Sequence, residues 1–103
     1  MDRVVENGKV AVLISPGFGA GWYTWHDTED LLFDPVIVEM VRNDRRDEIE
    51  SYVTSAYIDQ GIYCGGAEQL QIKWVPIGAE FRVDEYDGAE SIVLADHEYW
   101  IVA

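Results

Sequence analysis

The sequence predicts an α+β fold: one domain spanning residues 1–103, in which two helices pack on one face of an antiparallel or mixed β-sheet. Three observations predict it. An apolar run over Val10–Ile14 reads as a strand covered on both faces. Ile49, Tyr52, Val53, Ala56 and Tyr57 fall at i, i+3, i+4, i+7 and i+8, the stripe of an amphipathic helix. Beyond Gly66 the apolar period changes from that of a helix to that of a strand. A chain of 103 residues is long enough for one hydrophobic core.

The elements follow in order. Asn7-Gly8 is a turn signal, and Lys9–Ile14 is the first strand, stopped by Pro16, which cannot donate to a ladder. Leu31-Leu32-Phe33 is a short extended or helical piece. Asp34-Pro35 starts a helix, with a carboxylate at the cap and proline at the first helical position. Val36, Ile37, Met40 and Val41 are its apolar positions, with Glu39 and Arg42 left for solvent. Asn43-Asp44 breaks the pattern and caps a second helix, Arg45 to about Tyr57, which Gly61 ends. Leu70, Ile72 and Trp74 alternate with Gln69, Gln71 and Lys73, a half-buried strand. Pro76 to Gly78 turns the chain. Phe81–Tyr86 and Ser91–Leu94 are joined through Asp87-Gly88, and a two-residue loop there pairs Val83 with Ile92 and Phe81 with Leu94. Tyr99–Val102 reads as a last strand.

Twenty acidic residues against seven basic ones give a net charge of −13. That field repels nucleic acid and anionic membranes, so neither is an expected partner. It serves solubility, or it lets the protein imitate the charge of DNA and dock on a basic partner. Cys64 is the single cysteine, which excludes an intrachain disulfide and a zinc site built of cysteines. No apolar run approaches the roughly 18 residues of a membrane helix. The first residues lack the basic and apolar regions of a secretory leader, so the expected location is the cytoplasm. The high content of tryptophan and tyrosine, together with sheet edges, makes a homo-oligomer an expected state.

The densest chemistry lies in Ser15-Pro16-Gly17-Phe18-Gly19-Ala20-Gly21-Trp22-Tyr23-Thr24-Trp25-His26. A glycine-rich turn after a strand can offer backbone N–H groups to a phosphate. The spacing Gly17-x-Gly19-x-Gly21 is not the dinucleotide fingerprint, and no Gly-Lys-Ser/Thr follows. Trp22, Tyr23 and Trp25 suit stacking on a base or gripping a peptide. Equally, the segment is a structural turn whose rings fill the core. The candidate ligand contacts are Ser15, Gly17, Phe18, Gly19, Gly21, Trp22, Tyr23, Trp25 and His26, together with Cys64, Gly65 and Gly66 on a second loop.

His26 beside Asp27 has the chemistry of a base or a ligand, but His97 is the only other histidine, so no metal is expected. Cys64 has open flanks for a nucleophile, yet acidic surroundings disfavour its thiolate; a small buried apolar role is the alternative. Arg42, Arg45 and Arg46 are the one basic cluster: an anion site, or partners that neutralise Asp44, Asp47 and Glu48. Lys73 and Arg82, on strands expected to be neighbours, are a second candidate anion pair. Asp84, Glu85, Asp87 and Glu90 crowd one hairpin, either as a phosphate-like row or as protection of an edge strand.

Val10–Trp22 with Leu32-Phe33-Asp34-Pro35 in the front half, and Tyr63–Ala67, Trp74–Gly78, Phe81-Arg82-Val83 and Glu85–Glu90 in the back half, resemble an uncharacterised family of small tailed-bacteriophage proteins. The resemblance covers about residues 9–92 and implies a setting, the cytoplasm of an infected bacterium. Accessory proteins there act in counter-defence or host takeover. Three functions are therefore expected in turn: a non-enzymatic protein binding a small, nucleotide-type ligand at the two glycine loops; an acidic inhibitor of a basic host protein; and a small enzyme using Cys64 or His26. No cofactor is expected.

Overall fold

Strand β2 (Lys9–Ile14) lies between the short β1 (Val5–Glu6) and β3 (Gln71–Pro76) in an antiparallel sheet of order β1-β2-β3. The computed structural model describes residues 3–17, 21–58, 60–95 and 101–102. Val10–Ile14 are all buried, because β2 is covered on both faces as its unbroken apolar run requires. Ala11 and Leu13 pack to one side, and Val10, Val12 and Ile14 to the other.

Four helical segments follow: α1 (Tyr23–His26), α2 (Asp30–Phe33), α3 (Pro35–Arg42) and α4 (Ile49–Ala56). The two main helices are α3 and α4, and both pack against the Ala11–Leu13 side of the sheet. There Ile37, Val38, Met40, Val41, Ile49 and Val53 form one core, and each large side chain buried stabilises by about 1.5–3 kcal/mol. The apolar stripe of α3 is shifted from the expected one: Val36 is exposed and Val38 is buried in its place. Leu32 and Phe33 of α2, with Phe81 and Val75, close the opposite side of β2.

Asp34 caps α3, accepting from the amides of Val36 at 2.8 Å and Ile37 at 3.3 Å. The same buried carboxylate accepts the hydroxyls of Tyr52 at 2.8 Å and Tyr57 at 2.7 Å, which ties α4 to the start of α3. Asp44 does not cap the second helix. A short 3-10 turn, Arg46–Glu48, leads into α4 without a side-chain cap, and Asp44 instead faces Arg46 at 3.0 Å.

β4 (Glu80–Tyr86), β5 (Ala89–Ala95) and β6 (Ile101–Val102) make a second antiparallel sheet of order β5-β4-β6. Its hairpin has the expected register, with Val83 opposite Ile92 and Phe81 opposite Leu94. Asp87 at φ 53° and Gly88 at φ 89° supply the tight turn. Because β3 pairs with β2 while β4 pairs with β5 and β6, Lys73 and Arg82 stand in different sheets and not on neighbouring strands. Tyr99 and Trp100 lie outside the described residues. Among the described residues no helix is long and apolar enough to cross a membrane.

Candidate functional site

The glycine segment leaves β2 at Ser15 and enters α1 at Trp22, and the backbone amides at its two ends converge on a carboxylate of this same chain. Glu90, at the start of β5, is 3 % exposed. Its Oε1 accepts from the Ser15 amide at 2.9 Å. Its Oε2 accepts from the amides of Trp22 at 3.1 Å and Thr24 at 2.8 Å, and from the Thr24 hydroxyl at 2.7 Å. The Glu90 amide in turn donates to the Ser15 carbonyl at 2.8 Å. A glycine-rich turn running from a strand into a helix gathers N–H groups suited to an anion, and here an internal side chain fills that role.

The hairpin carboxylates therefore do not form a phosphate-like row. Glu90 is turned inward, Asp84 faces Arg82 at 2.7 Å, and Glu85 accepts from the Gly88 amide at 2.6 Å. One signal in the sequence pointed this way. Alternation puts Glu90 on the same face as Ile92 and, across the hairpin, Val83, the apolar face of the hairpin.

The aromatic cluster divides. Trp22 is 0 % exposed, its indole Nε1 donating to the Leu31 carbonyl at 3.1 Å, so this ring is core and not a surface for a guest. Tyr23 is half-buried, and burial raises its hydroxyl pKa. Trp25 is 45 % exposed and stands 5.1 Å from the ring of Tyr63, centroid to centroid. Phe18 and Gly19 lie outside the described residues.

The two glycine loops do meet. Gly66 packs against the Gly21 carbonyl, and a Cβ there would come within 2.8 Å of the Ser15 hydroxyl. That hydroxyl is buried and has no hydrogen-bond partner. Gly17 lies under the Gln69 side chain. Ser15, Gly17, Gly21, Gly65 and Gly66 are thus one neighbourhood, with Trp25 and Tyr63 at its surface.

His26 is built into this neighbourhood as a neutral ring. Its Nδ1 accepts from the Thr28 amide at 2.9 Å, and the ring packs edge-on to Trp22 at 4.8 Å. Burial pushes its pKa down to about 4, outweighing the opposite pull of Asp27. A ring whose accepting nitrogen is already used, and which protonates only in acid, is poorly placed to act as a base. The thiol of Cys64 is likewise pushed up by burial and by Glu50, and it lies 3.8 Å from the Ile62 carbonyl against the helical core. That environment favours the thiol over the thiolate. Among the described residues no group of three or more His, Cys, Asp or Glu could hold a metal ion.

The basic cluster is separated and matched to acids. Arg42 pairs with Glu6 and with Glu39, and stacks over Trp74 with its guanidinium 5.2 Å from the ring. Arg45 forks onto Glu48 with two contacts of 2.8 Å. Arg46 faces Asp44 and donates to the Leu70 carbonyl at 2.8 Å. Around Arg46 the surface hollows into a groove of about 400 Å³ whose acidic walls are Asp44, Asp47 and Glu68. The sequence left this groove unmarked, because its walls come from two stretches distant in the chain, in and beside the 3-10 turns Arg46–Glu48 and Ala67–Gln69. Compared with models of known protein families, with curated proteins and with solved structures, the chain matches none.

Proposed function

We propose that the chain is a non-enzymatic accessory protein of an infected bacterial cytoplasm that docks on a basic host protein through its carboxylate surface. The observation that carries this reading is the state of its cations. All five arginines are engaged by carboxylates of the same chain: Arg3 by Glu29, Arg42 by Glu6 and Glu39, Arg45 by Glu48, Arg46 by Asp44 and Arg82 by Asp84. With its arginines spent internally, a chain of net charge −13 presents a surplus of carboxylate outward. Such a field attracts cationic surfaces and speeds encounter with them. The phage setting follows the sequence resemblance. The test is calorimetric titration with a lysine- and arginine-rich peptide between about 0.05 M and 0.5 M salt. Binding that weakens by at least about tenfold across that range supports the reading. Absence of binding at low salt, or binding indifferent to salt, overturns it.

A small-molecule reading of the two loops has one observation in its favour, the buried, unpartnered Ser15 hydroxyl where they meet. Glu90 counts against an anion at the two ends of the glycine segment, since it already takes the amides of Ser15, Trp22 and Thr24. Calorimetry with cyclic and ADP-ribose-type nucleotides separates the two readings. Docking on a basic protein predicts no heat from any of them.

A further inference from the structure

We propose that the Trp25–Tyr63 ring pair and the acidic groove beside it form one recognition site for arginine side chains of a basic protein segment. This rests on the charge-driven docking proposed above and names the residue type that such docking would read. Trp25 and Tyr63 are 45 % and 40 % exposed, with their planes inclined at 36°. Each ring lies against a glycine. A Cβ on Gly21 would stand 2.5 Å from the Trp25 ring, and a Cβ on Gly65 would fall on the hydroxyl end of Tyr63. The two glycine loops thereby seat both rings at the surface. Ring faces carry negative potential and attract cations.

The Tyr63 ring ends over Gly65, and Gly65 lines a groove of about 240 Å³ whose acidic walls are Asp47, Glu50 and Glu68. The one cation among its described lining residues, Arg46, already faces Asp44 and the Leu70 carbonyl. The exposed ring pair and these carboxylates thus adjoin at Gly65. A guanidinium satisfies both at once, because its weakly hydrated plane stacks on a ring while its fork donates to a carboxylate. A lysine ammonium is a strongly hydrated point charge and gains mainly from the carboxylates.

The test compares oligo-arginine and oligo-lysine peptides of equal length, titrated by calorimetry into the wild type, the Trp25→Ala/Tyr63→Ala double variant and Tyr63→Ser alone. Circular dichroism checks the fold of each. Tyr63→Ser leaves the packing of Trp25 on Gly21 in place and so stands in if the double variant does not fold. The expected result is an arginine preference of about fivefold or more in the wild type, lost in the double variant and reduced by Tyr63→Ser, while salt-sensitive binding of oligo-lysine persists. Equal affinity for the two peptides, or a preference unchanged without the rings, overturns the site and leaves charge-driven docking standing. If neither peptide binds at low salt, the docking reading fails and the site with it.

Discussion

The carboxylate of Glu90 and the backbone amide of Trp22 lie 3.1 Å apart, although 68 positions separate them in the chain. Through this bond and its neighbours at Ser15 and Thr24, the second sheet grips the segment that leaves the first. The two ends of the glycine-rich loop are thereby a joint between two sheets.

Glu90→Gln keeps the size of the side chain but replaces one acceptor oxygen with an NH₂ group facing backbone donors. A buried cluster of charge-assisted bonds is then partly unsatisfied. We expect a loss of about 3 kcal/mol in urea unfolding, with unchanged secondary structure by circular dichroism. A change under about 0.5 kcal/mol, the range of an ordinary surface substitution, would contradict the inward placement of this carboxylate.

Asp34 is the corresponding strut among the helices, 0 % exposed and accepting from two amides and two tyrosine hydroxyls. Asp34→Ala strands those donors and should cost about 3 kcal/mol or more in the same assay. Tyr57→Phe removes one bond to a charged acceptor and should cost about 1.5 kcal/mol. Because the two sites touch, their double variant should cost less than the sum of the singles.

Alkaline pH should loosen the same strut. Burial and the bond to Asp34 push the Tyr52 hydroxyl from 10.0 up to about 12, and Tyr57 is raised further by the same causes. A folded pKa above the unfolded one contributes stability that is complete below pH 10.0 and disappears as pH climbs through about 12. Denaturant midpoints should fall over that interval, and less steeply in Tyr52→Phe.

His26 predicts the opposite slope in acid. Its folded pKa of about 4 lies below the ordinary 6.5, so its contribution is complete above pH 6.5 and lost as pH falls through about 4. Nitrogen-detected NMR should find a neutral ring with the proton on Nε2 down to that range, since Nδ1 accepts from Thr28. A ring titrating near 6.5 would contradict its burial against Trp22.

Much of the fold is written locally. The unbroken run in β2, the Asp34-Pro35 helix start and the Asp87-Gly88 hairpin are each set by residues a few positions apart, and each has the expected form. Strand order is a different matter: alternation gives the period of β3 and β4 but not their neighbours, so the division into two sheets was not legible. Neither was the phase of α3, where Val36, Ile37 and Val38 are consecutive β-branched residues. Which of them faces the core depends on how the helix lies on the sheet. At the candidate site Gly66 of one glycine loop lies against Gly21 of the other, while the fate of Trp22 and Glu90 depends on contacts that cross the molecule.

Amide hydrogen exchange at Ser15, Trp22 and Thr24, recorded by NMR with and without added phosphate, tests most directly that Glu90 holds the loop's donors. The account predicts protected amides whose shifts do not respond to phosphate, and loss of that protection in Glu90→Gln. Rapid exchange in the wild type, or shifts at these three amides that saturate with phosphate, would contradict it and return the loop to the role of an anion site.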